Sequence, residues 1–164
     1  GRTGPLFAYQ QYGILPDVVS FAKGIGGGLP LGGILANEKC RNVLGPGMHA
    51  TTFGGNPVSC AGGCAVLEQL GDDVLEEVKI KGELIRDYIE GMHSPYVAGV
   101  RGLGLMIGVQ LTGISHKELA QRCIDRGLLV LTAGTDTLRL LPPLTITREE
   151  ILRGLDILHS VLCE

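Results

Sequence analysis

The sequence predicts an α/β chain. Short apolar runs of strand length recur along it, two long stretches carry apolar residues at helical spacing, and Ser/Thr-x-x-Glu pairs stand where helices should open.

Residues 17–22 (Asp-Val-Val-Ser-Phe-Ala) are apolar and rich in β-branched side chains, and they run into Lys23 and a glycine-rich stretch. That is the pattern of a short buried strand ending in a loop. Residues 30–36 read as the next strand. Asn37 can cap a short helix through Leu44, stopped by Gly45-Pro46-Gly47. A loop follows over 49–57. From 58 to 92 the sequence is helical, with Val74, Val78, Ile85 and Ile89 on one face, and Gly71 divides it into two helices.

After Pro95 the period changes. Residues 97–102 and 105–111 read as two short strands linked through glycines. Ser115 and Glu118 form a capping box opening a helix that ends at Arg126-Gly127. Further strands are expected at 128–131 and 138–141, around a turn-rich 132–136. Thr147 with Glu150 makes a second capping box, and Ile151, Leu155, Leu158 and Leu162 form the apolar stripe of a final helix. Three parts result: a βαβ-like segment over 1–57, connecting helices over 58–92, and a small α+β unit over 93–164. The first has too few strands to close a sheet and is expected to belong to a larger domain. Gly1-Arg2-Thr3-Gly4 reads as the interior of a longer protein.

Composition narrows the function. Hydrophobic residues make up 45% of the chain and charged ones 19%, enough apolar surface for a folded core. The balance of 14 basic against 17 acidic residues, with no basic run, argues against a nucleic-acid partner. No apolar stretch reaches the roughly 18 residues of a membrane-spanning helix, and no signal-peptide pattern opens the chain, so a soluble cytoplasmic protein is expected. The five cysteines are irregularly spaced and read as reduced thiols. Cys60 and Cys64 are four apart, but no second Cys or His pair completes a metal site, so none is expected. The 26 glycines are clustered rather than periodic, which marks places where backbone approaches a ligand or another backbone.

Three places carry candidate chemistry. In Phe21-Ala22-Lys23-Gly24-Ile25-Gly26-Gly27-Gly28-Leu29-Pro30, a lysine ends an apolar strand, where desolvation disfavours an ammonium and favours the free amine that attacks a carbonyl. The glycines leave space for a bulky ring. The plain alternative is a surface lysine opening a flexible loop, and phosphate-loop spacing does not fit. In Thr51-Thr52-Phe53-Gly54-Gly55-Asn56-Pro57, Thr52 offers a hydroxyl, and the glycines let backbone amides approach an anion; an ordinary turn is the alternative. In Leu138-Arg139-Leu140-Leu141-Pro142-Pro143, the arginine alternates with leucines and must leave the sheet on the face opposite the core, as a carboxylate-binding fork or a solvated edge residue. His49 and Arg101 are read as polar surface and as structure.

These motifs, together with Arg2-Thr3-Gly4-x-Leu6-Phe7-Ala8-Tyr9 and Pro16-Asp17, closely resemble the class III aminotransferases, in order and over essentially the whole chain. The resemblance implies the C-terminal part of a fold type I transferase, namely the end of its large domain plus the α+β small domain. It further implies pyridoxal 5'-phosphate as cofactor, amino acid and 2-oxo acid substrates, and a homodimer. Lys23 would be the Schiff-base lysine, also relaying the proton between substrate α-carbon and cofactor. Thr52 would bind the cofactor phosphate in the neighbouring subunit's site, and Arg139 would grip the substrate α-carboxylate. Within the family the pattern is nearest to enzymes acting on N-acetylornithine with 2-oxoglutarate, in arginine biosynthesis; ornithine, 4-aminobutyrate or other ω-amino donors remain open. The family's partners for the cofactor ring and most of its phosphate loop have no counterpart in these residues. The 164-residue chain alone is therefore expected to be inactive, and a noncatalytic association module is the reading from another class.

Overall fold

The computed structural model describes residues 1–163, which form two compact units. One comprises Gly1–Ala8 and Asp73–Glu164, the other Tyr9–Asp72.

The Tyr9–Asp72 unit contains strands β1 (Val18–Ala22) and β2 (Gly32–Ala36), paired antiparallel, and helix α1 (Pro57–Gln69). Between the strands, Lys23–Gly26 makes one 3-10 turn, closed by Gly27 in the left-handed conformation. The Phe21 ring covers Gly33 on the partner strand: a Cβ there would sit 2.7 Å from its Cζ. Asn56 caps α1, its side-chain oxygen accepting from the amides of Val58 (3.0 Å) and Ser59 (3.2 Å), and Pro57 fills the first helical position. Gly62 and Gly63 then bring the helix against the 3-10 turn, where a Cβ on Gly62 would lie 3.1 Å from the Gly26 carbonyl oxygen.

Two expectations are corrected here. β1 is not a buried strand, since none of its five residues is buried. It pairs only with β2, so the described residues provide no layer to cover it. The helix expected from Asn37 to Leu44 reduces to a 3-10 turn over Glu38–Cys40 followed by tight turns. Its amides at Cys40, Arg41 and Val43 all reach back three residues rather than four, so the Asn37 cap opens a turn that never becomes an α-helix.

The larger unit is built on a four-stranded antiparallel sheet, in the order β3 (Val97–Leu103), β4 (Met106–Leu111), β6 (Thr137–Leu140), β5 (Leu131–Ala133). Ile107, Val109, Leu111 and Leu138 leave one face and are buried. They join Val78, Ile85 and Ile89 of α2 (Asp72–Gly91), Leu119 and Cys123 of α3 (His116–Asp125), and Ile151, Leu155, Leu158 and Leu162 of α4 (Arg148–Leu162) in one core. The apolar stripe expected on α4 is buried, that on α2 is buried at Val78, Ile85 and Ile89 with Val74 half-buried, and the Thr147–Glu150 capping box opens α4. The strand expected at 128–131 instead starts at Leu131, because the amides of Gly127 and Leu128 are used to close the end of α3.

The Gly1–Ala8 segment is clipped to this unit. The Arg2 carbonyl accepts from the Leu105 amide (3.0 Å), and its guanidinium donates to the carbonyls of Leu105 (3.3 Å) and Pro142. Gly104, at φ +51°, is what permits the approach: a Cβ there would lie 2.8 Å from the Arg2 carbonyl oxygen.

Candidate active site

Lys23 stands at the end of β1 and opens the 3-10 turn. Its backbone is left-handed, with φ +62°, a region that a residue with a long side chain enters only when its surroundings impose it. The extended Ala22 before it and the 3-10 turn after it, held by the Gly27 amide donating to the Gly24 carbonyl (3.1 Å), supply that constraint. The consequence is a lysine whose direction is set by backbone geometry. It is exposed, not desolvated as the apolar strand before it suggested, and its ammonium enters no hydrogen bond or ion pair among the described residues. Around it, a Cβ at Gly24 or Gly28 would meet nothing within 4 Å, so these glycines border open space. An uncommitted amine fixed beside open room suits condensation with an aldehyde cofactor, and these residues fit one.

Thr52 belongs to the same unit, in the exposed loop that ends at the Asn56 cap. Gly55 is at φ +70° with nothing within 4 Å of a Cβ, leaving the backbone after Thr52 open to an anion. Arg139 lies in the other unit.

Arg139 sits on β6 between Gly108 of β4 and Leu131 of β5. It leaves the sheet on the face opposite Leu138, which is fully buried, as the alternation with leucines requires. The residue is half-buried, and its Nε is buried with no hydrogen-bond partner. A buried unpaired guanidinium N–H is costly, and an anion arriving at this face would satisfy it. On the core side of the same unit lies an apolar cavity of about 310 Å³, bounded by Leu128, Leu140, Pro142, Ile146, Ile151 and Leu158, which none of the three candidate residues lines.

The structure also displays polar residues that pattern reading left aside. On the face of Arg139, the Arg101 guanidinium donates to the Thr137 hydroxyl (3.0 Å), which donates to the Asp136 carboxylate (2.9 Å); Gln110 donates to the other carboxylate oxygen (3.0 Å). Thr137 is two residues before Arg139, so strand alternation alone could have placed it on this face. Its link to Arg101 depends on sheet order, which no local pattern carries.

The chain is similar to known proteins along its whole length. The acetylornithine aminotransferase of Caldanaerobacter subterraneus is 44% identical over 167 residues, covering all of this chain and 42% of that protein. That of Haemophilus ducreyi is 46% identical over 165 residues, covering all of this chain and 41% of that protein. A crystal structure of acetylornithine aminotransferase from Elizabethkingia anophelis superposes with a TM-score of 0.90 at 32% identity, over 99% of this chain and 42% of that one. The chain thus spans about two fifths of the length of these relatives. No helix among the described residues is long and apolar enough to cross a membrane. Residues 1–162 match the sequence model of the family Aminotransferase class-III, whose members use pyridoxal phosphate, and the chain belongs to that family.

Proposed function

We propose that this chain is the C-terminal part of a cytoplasmic transaminase that moves an amino group between N-acetylornithine and 2-oxoglutarate, with Lys23 as its catalytic lysine. The observation that carries the lysine is its left-handed backbone beside open, glycine-bordered space. The choice of N-acetylornithine is supported by the names of the two relatives, each similar over the whole of this chain. In this reading residues 1–57 end a large cofactor-binding domain, 58–92 connect, and 93–164 form the small domain.

Each residue then has a physical task. Pyridoxal phosphate, when bound, supplies the electron sink. The Lys23 Nζ would hold the cofactor through its aldehyde carbon, with loss of water, and as a free amine it would carry the proton leaving the substrate carbon that bears the transferred amino group. The Thr52 hydroxyl donates to the cofactor phosphate, in the site of a second copy of the enzyme, which makes a homodimer the working form. The Arg139 guanidinium donates two parallel N–H bonds to the substrate α-carboxylate and so selects which face meets the cofactor. Borohydride reduction of the full-length holoenzyme followed by peptide mapping should place the reduced adduct on Lys23, and Lys23→Ala should abolish it. An adduct on any other lysine overturns the assignment.

A further inference from the structure

Arg139 is the last residue of β6 held from both sides: it pairs with Gly108 of β4 and Leu131 of β5, while Leu140 after it pairs only with Ile107 of β4. The β4–β6 ladder then runs out for a covalent reason. The Leu111 amide donates to the Asp136 carbonyl (2.8 Å), and hydrogen-bonded pairs in an antiparallel ladder recur at every second residue. In this register they fall at Val109 with Leu138, at Ile107 with Leu140, and next at Leu105 with Pro142. Proline has no N–H to give, so the ladder cannot supply the Leu105 carbonyl.

Arg2 completes this pair. The Leu105 amide, which the register would direct to the Pro142 carbonyl, donates instead to the Arg2 carbonyl (3.0 Å). The ladder thus supplies neither carbonyl of the pair, and both receive a donor from one atom. Arg2 Nη1, which carries two N–H groups, donates to the carbonyls of Leu105 (3.3 Å) and Pro142. The turn that meets Arg2 is itself seated on a helix: a Cβ on Gly82 of α2 would lie 2.3 Å from the Gly104 carbonyl oxygen, so the two backbones pack directly.

We infer that Arg2 is a positioning residue: its guanidinium closes the β4–β6 pair where Pro142 cannot, and so fixes the end of the strand from which Arg139 reaches a ligand carboxylate. The inference rests on the carboxylate-binding role proposed for Arg139. Without the clamp the strand frays from Pro142 back towards Arg139, three residues away, and the Arg139 guanidinium loses its fixed direction. Affinity for the carboxylate falls, because a binding group held loosely must be ordered each time it binds.

The test uses the full-length holoenzyme. Arg2→Met keeps an unbranched apolar stem and removes the donors. Hydrogen exchange at the Ile107 and Leu140 amides should quicken several-fold, while that at Leu111, at the other end of the ladder, stays as it was. KM for N-acetylornithine should rise about tenfold with kcat within about twofold, since a carboxylate grip acts on bound substrate and transition state alike. Adding Arg2→Met to Arg139→Met should leave KM where Arg139→Met alone puts it. Unmoved exchange at Leu140, an unmoved KM in Arg2→Met, or a further rise when Arg2→Met is added to Arg139→Met overturns the inference; the last would mark a general structural role. Should Arg2→Met fail to fold, Arg2→Lys, which keeps the charge on a shorter reach, decides by the same readouts: smaller changes in the same direction are expected, and none overturns it. If Arg139→Met alone leaves KM unmoved, the role proposed for Arg139 fails, while exchange at Leu140 still decides whether Arg2 holds β6.

Discussion

The two units differ in what holds them together. In the larger one, α2, α3 and α4 and one face of the sheet close around a continuous core, and every buried hydrophobic side chain among the described residues lies there. In Tyr9–Asp72 the buried residues are Gly26, Ser59 and Gly63, while Leu15 is 92% and Phe53 84% exposed. This unit is ordered by a glycine-permitted helix contact, one strand pair and a cap, and a lone two-stranded sheet is marginal by itself. Chemistry and stability are therefore divided: the uncommitted lysine belongs to the unit without an apolar core.

The largest expected effect comes from making the same change in both. Leu138→Ala, at a fully buried position, should cost about 2–5 kcal/mol in urea or thermal unfolding, whereas Leu15→Ala should stay within about 0.5 kcal/mol. Comparable losses would break the contrast.

Thiol chemistry sharpens it. Cys60 and Cys64 of α1 are exposed, while Cys123 of α3 is buried and its thiol is pushed up to about 11 by desolvation. At about pH 8 an alkylating reagent should modify Cys60 and Cys64 promptly and Cys123 only at the rate at which the core opens, because the thiolate is the reactive form. Prompt labelling of Cys123, read by mass spectrometry, would mean that α3 is not held as described.

The smallest effect is at the caps. Thr147→Ala should destabilise the larger unit by about 1 kcal/mol, and Asn56→Ala should speed amide exchange at the start of α1. Only the first should alter the acid limb. Glu150 accepts from the amide of Thr147 (2.8 Å) and from its hydroxyl (2.9 Å), which holds its carboxyl below the ordinary glutamate range. A depressed carboxyl contributes stability above its unfolded value, and that contribution is lost as pH falls through the folded value. Thr147→Ala should therefore flatten the loss of stability on acidification. The Thr147 amide remains in the variant, so an unchanged acid limb would show that the Thr147 hydroxyl contributes nothing to it.

Much of this was legible before any coordinates. The stripes of α2 and α4, the break near Gly71, the box at Thr147 and Glu150 and the outward direction of Arg139 all follow from local periodicity and capping chemistry. What was misread is equally physical. The run before Lys23 is apolar enough to suggest a buried strand, but burial is a property of neighbours, and β1 has one. The apolar run from Leu128 looks like a strand, but the end of α3 uses its first amide.

Periodicity, caps and turn residues act over a few positions, and they suffice to specify α1 to α4, most strands and the face on which strand side chains emerge, though not to show that the Asn37 cap opens only a turn. The left-handed backbone of Lys23, the Arg2 clip on Leu105 and Pro142, and the link from Arg101 to Thr137 required the folded chain. Each depends on segments distant in sequence or on a backbone held against its own preference, and only packing supplies those constraints.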